Sequence, residues 1–518
     1  MKLNYKRTIL VGFAFFLISA FWQAYDSTIA LTLTNKFGMS QTWSGVIMAL
    51  DNILALFMLP LFGTLSDKHK SKYGRRTPFI RLGTVVAAVA IVCLSFVDNS
   101  QRNLLADVAT VDDPAALSVL YDAECETELM TPEGETIVLS KEMDKTAFTA
   151  ITSKITDENG KQVSNPDYAK YVVPARQAYA ADQTAANSTP LILFIAILLV
   201  ILIAMATFRS PAVALMPDVT IKPLRSKANA VINLMGTAGG ILILVLGKVF
   251  ATSSVKNALM SYTAFYGVLA AVMLGALTIF LITVKEPKWA AQMQSDSIRY
   301  GIEEDPKDEN GETKRGLSKS EIFSLICILA SVALWYFGYN AVTSKYSVYA
   351  PNVLGKDYNT TMLIAQGFAI VAYLPAGMVA SKIGRKKTIL GGVVMLAAAF
   401  AAAAFMRSTS PGWIMNVMFA LAGVAWATIN VNSFPMVVEM CSGADVGKYT
   451  GFYYTASMAA QTVTPMLSGF LMDKLGMTAL FPYAAIFVSL AFVTMLLTRH
   501  GDAKVVAKTG LEAFGDDD

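Results

Sequence analysis

The chain has 518 residues, of which 54% are hydrophobic and 15% are charged, and its mean hydropathy is +0.49. A soluble core cannot cover that much apolar surface, so the composition excludes a soluble enzyme and indicates a protein embedded in lipid. The net charge of +4 is small for this length, and the basic residues fall in short loops rather than in one patch. We therefore expect no nucleic-acid partner.

Twelve apolar segments of bilayer-spanning length follow one another, since a helix needs about 20 residues to cross. The first segment is longer than a signal-peptide core, so we expect it to remain in the protein. We predict membrane spans 1 to 12 at residues 8–34, 42–65, 78–97, 190–217, 227–250, 260–284, 321–345, 359–380, 388–406, 412–438, 450–472 and 478–498.

Basic residues cluster in the loops between alternate spans, as at 68–76, 222–227 and 382–387. Short cytoplasmic loops carry an excess of Lys and Arg, so this pattern places the amino terminus inside the cell. An even number of spans returns the carboxyl terminus to the same side. We expect a monomeric multi-pass protein of the cell membrane, surrounded by the lipid bilayer, with both termini in the cytoplasm.

Two long polar segments interrupt the spans. Residues 98–189 carry 16 acidic and 7 basic residues, and an alternating pattern at 135–140 with Asn159-Gly160 predicts a small, partly β insertion outside the cell. Residues 285–320 are typical of a charged linker. The predicted units are an N-terminal six-helix bundle (1–97 and 190–284), the extracellular insertion (98–189), a cytoplasmic linker (285–320), a C-terminal six-helix bundle (321–500) and a cytoplasmic tail (501–518).

The two halves of the chain repeat one another. Asp218 follows span 4 with Lys227 nine residues on, and Glu439 follows span 10 with Lys448 nine residues on. Without the insertion, the chain is two matching six-helix units. A parallel repeat of this kind is the plan of transporters that rock one half against the other around a central site.

One basic turn carries a family resemblance. Gly63, Asp67 and the run Gly74-Arg75-Arg76 lie between spans 2 and 3, and residues 377–387 echo them between spans 8 and 9. This duplicated turn, with twelve spans and a central loop, resembles the major facilitator superfamily. The resemblance implies an all-α membrane protein of twelve transmembrane helices in two six-helix bundles, the major facilitator fold, with the insertion between helices 3 and 4.

A longer match narrows the resemblance. Residues 60–80, and the span 4–5 junction at 211–218 and 225–230, are similar to the glycoside-pentoside-hexuronide:cation symporters and to the sucrose–proton carriers related to them. This similarity implies transport of a small-molecule sugar by alternating access. It implies no enzymatic activity.

Charged residues at the cytoplasmic helix ends form a predicted gate. Cations near helix carboxyl ends and anions near amino ends each gain roughly 0.3–1 kcal/mol. The resemblance implies that they latch the cytoplasmic side closed while the outer side is open; the alternative is that they set only topology and fold. The gate set is Asp67, Arg75, Arg76, Asp218, Arg225, Lys382, Arg385 and Glu439.

Three charges fall at membrane depth. Inserting a charge at the centre of a span costs about 2.5–3.5 kcal/mol, so each of Asp26, Asp51 and Arg209 is a functional candidate. A desolvated carboxylate can hold a proton near neutral pH, and we predict Asp26 and Asp51 as the proton-coupling groups. Arg209 lies too close to the cytoplasmic side of the membrane to pair with Asp26 directly, so we expect a ligand or water between them. The alternative is structural hydrogen bonding.

The resemblance favours a proton over sodium as the coupling ion. In melibiose-type carriers, acids of spans 1 and 4 would align with Ser19 and Arg209 here, and acids of the sodium-type carriers would align with Ala55 and Leu59. None of those four positions holds an acid. Asp26 is two turns beyond Ser19 on the same helical face and is a candidate substitute.

Sugar recognition needs flat rings that stack on pyranose faces and polar groups that bind hydroxyls, in a mostly apolar cleft. In this superfamily spans 1, 4, 7 and 10 line the cavity. The alternative for each residue is packing between helices. The predicted substrate set is Trp22, Asp26, Asn52, Arg209, Trp335, Tyr339, Asn340, Gln366, Trp426 and Asn430.

No cofactor or metal is predicted. His69 and His500 both flank spans on the inner side, which leaves no histidine at membrane depth. The four cysteines, Cys93, Cys125, Cys327 and Cys441, offer no pair on the outside, so we expect no disulfide.

Three functions remain open from the sequence. The first is proton-coupled symport of a glycoside, a di- or oligosaccharide. The second is export or transport of amphiphilic molecules or lysolipids, which predicts a cavity dominated by Met, Phe and Leu. The third is a sensor that no longer transports and uses the insertion to bind its ligand.

Overall fold

The computed structural model describes residues 3–158, 160–221, 224–300, 318–438, 440 and 446–501. Within these ranges, twelve helices have at least 18 residues, and each overlaps one predicted span. They are α1 (Tyr5–Asn35), α2 (Gln41–Lys68), α3 (Thr77–Leu104), α8 (Thr189–Val219), α9 (Arg225–Val249), α10 (Thr263–Thr283), α12 (Lys319–Val353), α13 (Tyr358–Ile383), α14 (Arg385–Ala403), α15 (Gly412–Val438), α16 (Val446–Leu475) and α17 (Leu480–Leu497).

Ten of these helices are long and apolar enough to cross a membrane, counted over the described residues. The chain is therefore a multi-pass membrane protein. Polar side chains fix several helix starts: Asn4 accepts a hydrogen bond from the amide of Arg7, and Ser40 from that of Trp43. Ser318 and Glu321 form a reciprocal capping box at the start of α12. The helix is the expected form because backbone groups in lipid must be satisfied within the segment.

The insertion is mixed α and β, as predicted. Its helices are α4 (Pro114–Glu124), α5 (Leu139–Glu142), α6 (Lys145–Thr149) and α7 (Val173–Ala186). Strands β1 (Glu128–Met130) and β2 (Thr136–Val138) form one antiparallel hairpin, with Leu129 opposite Ile137. Strands β3 (Lys154–Thr156) and β4 (Gln162–Ser164) form a second, with Ile155 opposite Val163. The insertion has its own hydrophobic core, separate from that of the membrane helices.

The linker holds a helix that the sequence did not predict. Helix α11 (Glu286–Arg299) follows the last span of the first half directly. Its first residue is 2% exposed, and its Trp289 ring lies 4.6 Å from the Arg7 guanidinium carbon. Pro287 in its first turn is compatible with a helix start, where the missing amide donor is not needed.

The two ends of the helix bundle differ. We call the end joined to the insertion the insertion face, and the end that holds residues 69–76 and α11 the termini face. At the insertion face the halves touch closely where α2 meets α16. A Cβ added at Gly45 would overlap the carbonyl oxygen of Pro465, and one at Gly469 would overlap that of Gln41. These glycines allow two backbones from different halves to approach.

The insertion contacts both halves. It is anchored to the first half, where Gln101 donates to Thr184 at 2.9 Å and a Cβ at Gly38 would overlap the backbone of α7. Its first hairpin reaches the second half, since the Thr478 amide donates to the Pro132 carbonyl at 3.0 Å. Its second hairpin does the same through Ser164, whose hydroxyl donates to the Gly355 carbonyl at 2.9 Å.

Candidate functional site

Three cavities lie between the halves, and Arg209 lines all of them. The charged cavity, of about 190 Å³, holds the charges predicted at membrane depth. The aromatic cavity, of about 500 Å³, holds the stacked rings of the second half. The termini-side cavity, of about 720 Å³, extends along the termini-face ends of α2, α8 and α16.

The charged cavity brings Asp26, Asp51 and Arg209 together from α1, α2 and α8. Asn52, Asn340 and Gln461 complete its polar lining, and Trp22 closes one side. The Arg209 guanidinium lies 5.7 Å from the centre of the Trp22 ring, a cation–π distance. Three helices of the first half and two of the second line this cavity, and the first half supplies all three charges.

The three charges are close without being locked into salt bridges. Asp51 interacts electrostatically with both Asp26 and Arg209. Among the described residues, Arg209 has no carboxylate oxygen of Asp26 or Asp51 within 4.0 Å of its nitrogens. Asp51 accepts a hydrogen bond from the Asn52 amide at 2.9 Å. This spacing leaves room for a polar group of a ligand, or a water, between the guanidinium and the carboxylates.

The aromatic cavity presents a flat surface from the second half. The rings of Tyr339 and Trp426 stack with centroids 3.6 Å apart and planes 4° apart. Tyr336 meets the same indole edge-on at 5.2 Å. Gln366, also on this cavity, donates to the Gln23 amide oxygen of the first half at 2.8 Å. Part of the wall of this cavity is apolar and includes Phe15, Met362 and Phe419.

Nine of the ten predicted substrate residues, and Asp51, line one or more of these three cavities. Asn430 lies on the termini-side cavity with Tyr453 and Gln461. Trp335 differs: it is fully buried in the second half and is not among the residues that line the three cavities. Trp335 lies four residues before Tyr339 on α12, one helical turn nearer the termini face.

The predicted gate residues of the first half meet at the termini face. Arg75 donates to Asp218 at 2.5 and 3.1 Å, and Arg76 donates to Asp218 at 2.8 Å. Arg76 also binds Asp67. Hydrogen bonding to Asp218 raises the pKa of Arg75 above its ordinary value. The four residues form one network of charge-assisted bonds within a single half.

A residue that the sequence analysis did not single out completes this network. Glu286, the first residue of α11, accepts from the backbone amides of Arg75, Arg76 and Thr77 at 2.7 to 2.9 Å. The Thr77 hydroxyl donates to the same carboxylate at 2.7 Å. Glu286 therefore caps α3 from another segment. The sequence did offer a signal for this role, because Glu286 stands directly before Pro287 at the end of an apolar run.

The remaining gate residues lie on α9, α13 and α14 or outside the described residues. Arg225 donates to the carbonyls of Pro217 and Thr220, both at 3.2 Å, and so caps the end of α8. Lys382 lies in the last turn of α13, and Arg385 begins α14. Glu439 falls outside the described residues, as does Cys441.

The insertion face is held by two charges that the sequence analysis did not select. Asp473 of α16 accepts from the amides of Gln41 and Thr42, both at 2.7 Å, and from the Thr42 hydroxyl at 2.5 Å. Lys345 of α12, fully buried, donates to the Gln41 carbonyl at 2.7 Å. Two second-half side chains therefore bind the start of α2, which belongs to the first half.

Further bonds between the halves lie near the same face. Tyr358 donates to the Ser27 carbonyl at 3.2 Å, and Ser347 donates to the Asp26 carbonyl at 3.1 Å. Asn352 donates to the Asn35 side chain at 2.8 Å. The halves are thus joined at the insertion face, while the largest of the three cavities extends to the termini face.

Two family models match this chain. The model described as MFS/sugar transport protein matches residues 10–106, and that of the Major Facilitator Superfamily matches residues 348–514. With the repeated helices and the central cavities described above, these matches place the chain in the major facilitator superfamily. The family and the fold are those of transport proteins rather than enzymes.

Curated relatives match over short segments. An MFS-type transporter of Metarhizium rileyi is 28% identical over 141 residues, which is 27% of this chain and 29% of that protein. A sucrose transport protein of Arabidopsis thaliana is 39% identical over 76 residues, 15% of this chain and 13% of that protein. The matches thus span under a third of each relative's length.

Solved structures match over nearly the whole chain. The xylose transporter XylE from E. coli, in an inward open conformation, has a TM-score of 0.56 at 15% identity, covering 96% of this chain and 97% of that one. A bacterial homologue of the iron transporter ferroportin, in an inward-facing state, has a TM-score of 0.58 at 12% identity, covering 96% and 99%. At these identities the likeness shows the fold.

Proposed function

We propose that this protein is a secondary active transporter that carries a glycoside, a di- or oligosaccharide, together with a proton by alternating access. The observation that carries the proposal is the charged cavity, where Asp26, Asp51 and Arg209 line one space between the two halves. Charges at membrane depth are costly unless they serve a pathway or a bound ligand. The match to the sugar transport family and to sucrose transport proteins supports a sugar as the substrate.

The residues around Arg209 suit a sugar. The stacked Tyr339 and Trp426 pair offers one flat face for a pyranose ring. Arg209, Asn340 and Gln461 can each bind hydroxyl groups in a cavity that is closed toward the insertion face. The volumes of the three cavities fit more than one sugar ring, which favours a di- or oligosaccharide over a monosaccharide.

Asp26 and Asp51 are the proposed proton carriers. Both lie on the charged cavity, and neither forms a salt bridge within 4.0 Å among the described residues. Protonation of one carboxylate would weaken its attraction to Arg209 and free the guanidinium for a sugar hydroxyl. Binding of proton and sugar would thus be coupled through Arg209.

The proposed orientation puts the termini face in the cytoplasm of the cell membrane. The basic turn at 68–76 and the basic residues at 385–387 lie at that face, while the acidic insertion lies at the other. In this orientation the structure is open to the cytoplasm and closed to the outside. The gate network of Arg75, Arg76 and Asp218 then lies at the open side.

Counterflow of labelled sugar tests the proposal. The purified chain in vesicles should exchange a labelled di- or oligosaccharide, and an imposed pH gradient should drive net uptake. Asp26→Asn should abolish gradient-driven uptake and spare exchange. Asp122→Asn, an exposed acid of the insertion, is the matched control and should retain both. Absence of exchange for every glycoside tested would reject the substrate class, and unchanged pH dependence in Asp26→Asn would reject the role of Asp26.

A second candidate function has one observation in its favour. Part of the wall of the aromatic cavity is apolar, with Phe15, Met362 and Phe419. Such a wall suits the hydrocarbon part of an amphiphile or lysolipid. Competition separates the two functions: a lysolipid that is itself carried, with no sugar exchange, favours the amphiphile transporter.

A further inference from the structure

Lysines from three separate segments converge on one cavity at the insertion face, away from the central cavities. This junction cavity, of about 260 Å³, is bounded by the second hairpin of the insertion, by the end of α9 with the loop after it, and by the loop between α12 and α13. Its lysines are Lys154, Lys248, Lys256 and Lys356.

The positive charge of the junction cavity is largely uncompensated. Its one carboxylate is that of Asp357, among the residues that line it. That carboxylate already accepts from Ser253, Asn359 and Thr360 and caps α13. Among the described residues, Lys154, Lys248 and Lys256 form no ion pair within 4.0 Å. Four ammonium groups around one space repel each other unless an anion joins them.

The insertion places basic residues at the junction cavity although most of its charged residues are acidic. The insertion is strongly acidic as a whole, yet the hairpin that faces the junction carries Lys154 and Lys161. Burial, and next the charge of Lys161, lower the pKa of Lys356. Lys356 donates to the Ser408 carbonyl at 2.9 Å, so its ammonium is held in place. A local excess of positive charge is thus built from segments far apart in sequence.

We propose that the junction cavity is a binding site for a small oxyanion of the phosphate or sulfate type. Lysine ammonium groups bind such anions as point charges, and hydroxyls such as that of Ser254 can add hydrogen bonds. The cavity is several times larger than one phosphate, so the anion can be free or can be the charged group of a larger molecule, including a lipid headgroup.

The bound anion has a conformational consequence. The lysines around the anion belong to the insertion, the first half and the second half. The anion therefore bridges parts of the protein that separate when the insertion face opens. A ligand that binds one of two states shifts the equilibrium by its difference in affinity for them. The anion therefore stabilises the state that is closed at the insertion face and opposes its opening.

Thermal unfolding of the full-length purified protein tests the site. Inorganic phosphate, added at constant ionic strength against chloride, should raise the Tm by a few degrees, because a ligand of the folded state stabilises it. The double variant Lys154→Gln/Lys248→Gln should lose that rise. The matched control, Lys141→Gln/Lys474→Gln, removes two exposed lysines at the same face outside the cavity and should keep it.

Each outcome decides the proposal. A Tm rise in wild type and control but not in the Lys154/Lys248 double variant supports the site. Absence of a rise in wild type with phosphate, and also in nanodiscs with phosphatidylglycerol compared with phosphatidylcholine, overturns it. A rise with phosphatidylglycerol alone, lost in the double variant, identifies a lipid headgroup as the source of the oxyanion. An equal rise in all three proteins shows a general salt effect and also overturns it.

A second readout does not depend on variant stability. Hydrogen exchange of the backbone amides at 251–257 and 353–357 should slow when phosphate is added, while that of α4 in the insertion should not change. Unchanged exchange at both loops, at phosphate concentrations that raise the Tm, would place the anion elsewhere and overturn the proposal.

Discussion

The two faces of the helix bundle use similar polar chemistry to join different partners. At the termini face, Arg75, Arg76, Asp218 and Glu286 bind one another within the first half and the helix that follows it. At the insertion face, Lys345 and Asp473 of the second half bind the start of α2 in the first. The termini-face network therefore stabilises one half, whereas the insertion-face contacts decide whether the two halves are together.

The difference shows that a charge motif alone does not identify a closed gate. The termini-face cluster has the sequence signature of a gate, yet its contacts among the described residues join only the first half and the helix that follows it. Lys345 and Asp473 at the insertion face belong to no sequence motif, yet they join the second half to the first. Variants at the two faces should therefore separate two effects: loss of stability without opening, and opening with little loss of stability.

The largest expected effect is that of Asp473→Ala on opening of the insertion face. The variant removes three hydrogen bonds to α2 and leaves the buried Lys345 without its nearby carboxylate. Hydrogen bonds to a charged group contribute about 1.5–3 kcal/mol each when lost, and a helix cap about 0.5–2 kcal/mol. We expect a shift of about 2 kcal/mol, or roughly thirtyfold, toward the state open at the insertion face.

Labelling of one cysteine measures this shift. Ser344→Cys lines the charged cavity, and it would react with a membrane-impermeant thiol reagent from the insertion side only after that face opens. The background replaces the four natural cysteines. Lys474→Ala, at the exposed neighbouring position, is the control and should leave the rate unchanged. Equal labelling in Asp473→Ala and the control would show that Asp473 does not hold the face closed.

The next effect is that of Glu286→Ala on stability. The variant removes the acceptor for three amides at the start of α3, a loss of about 1–2 kcal/mol on the scale of helix caps. The Tm should fall, while labelling of Ser344→Cys should stay at the wild-type rate because the bonds lost do not join the halves. Glu286→Gln keeps one acceptor and should lower the Tm less. Faster labelling in Glu286→Ala would contradict the distinction between the two faces.

A smaller effect concerns the pH dependence of the insertion. Burial raises the pKa of Glu124 above its ordinary value of 4.5, and the charge of Asp182 adds to this. Since the folded insertion binds this proton more tightly than the unfolded chain, the stabilising contribution is present below the ordinary pKa and is lost as the pH rises through the raised one. Glu124→Gln should therefore stabilise the insertion at neutral pH and have little effect at pH 4.

Hydrogen exchange of α4 and α7 checks this sign. The ratio of rates between Glu124→Gln and wild type at each pH cancels the intrinsic dependence of exchange on pH. Glu126→Gln, an exposed acid two residues on, is the control and should give a ratio near one at every pH. A ratio for Glu124→Gln that does not change with pH would mean that the Glu124 carboxyl does not titrate differently on folding.

The sequence predicted the helices better than the contacts between them. All twelve spans coincide with long helices, because the length and hydrophobicity needed to cross a bilayer are local properties. Helix α3 continues to Leu104, seven residues beyond the predicted end, since Asp98 pairs with the buried Lys36. In the sequence alone, the charge of Asp98 indicates the end of a span. In the structure, that carboxylate is paired with Lys36, 62 residues away in sequence, and the helix continues.

The same reason explains which site residues were predicted. Asp26, Asp51 and Arg209 stand out because each is a charge in the middle of an apolar run. Lys345 and Asp473 lie at span ends, where charges are common, and their partner Gln41 is more than 300 residues away in sequence. Trp335 and Tyr339 look alike in sequence, and only the packing of α12 shows that Tyr339 faces a cavity.

The smallest expected effect tests whether the insertion shares in closing the face. Ser164→Ala removes the hydrogen bond from the second hairpin to the Gly355 carbonyl of the second half. One neutral hydrogen bond contributes about 0.5–1.5 kcal/mol, so labelling of Ser344→Cys from the insertion side should rise between about twofold and tenfold. Thr149→Ala is the matched control, because its hydroxyl bonds to Thr146 within the insertion. If both variants label at the wild-type rate, the insertion rests on the second half without stabilising closure, and closure depends on the α2 contacts alone.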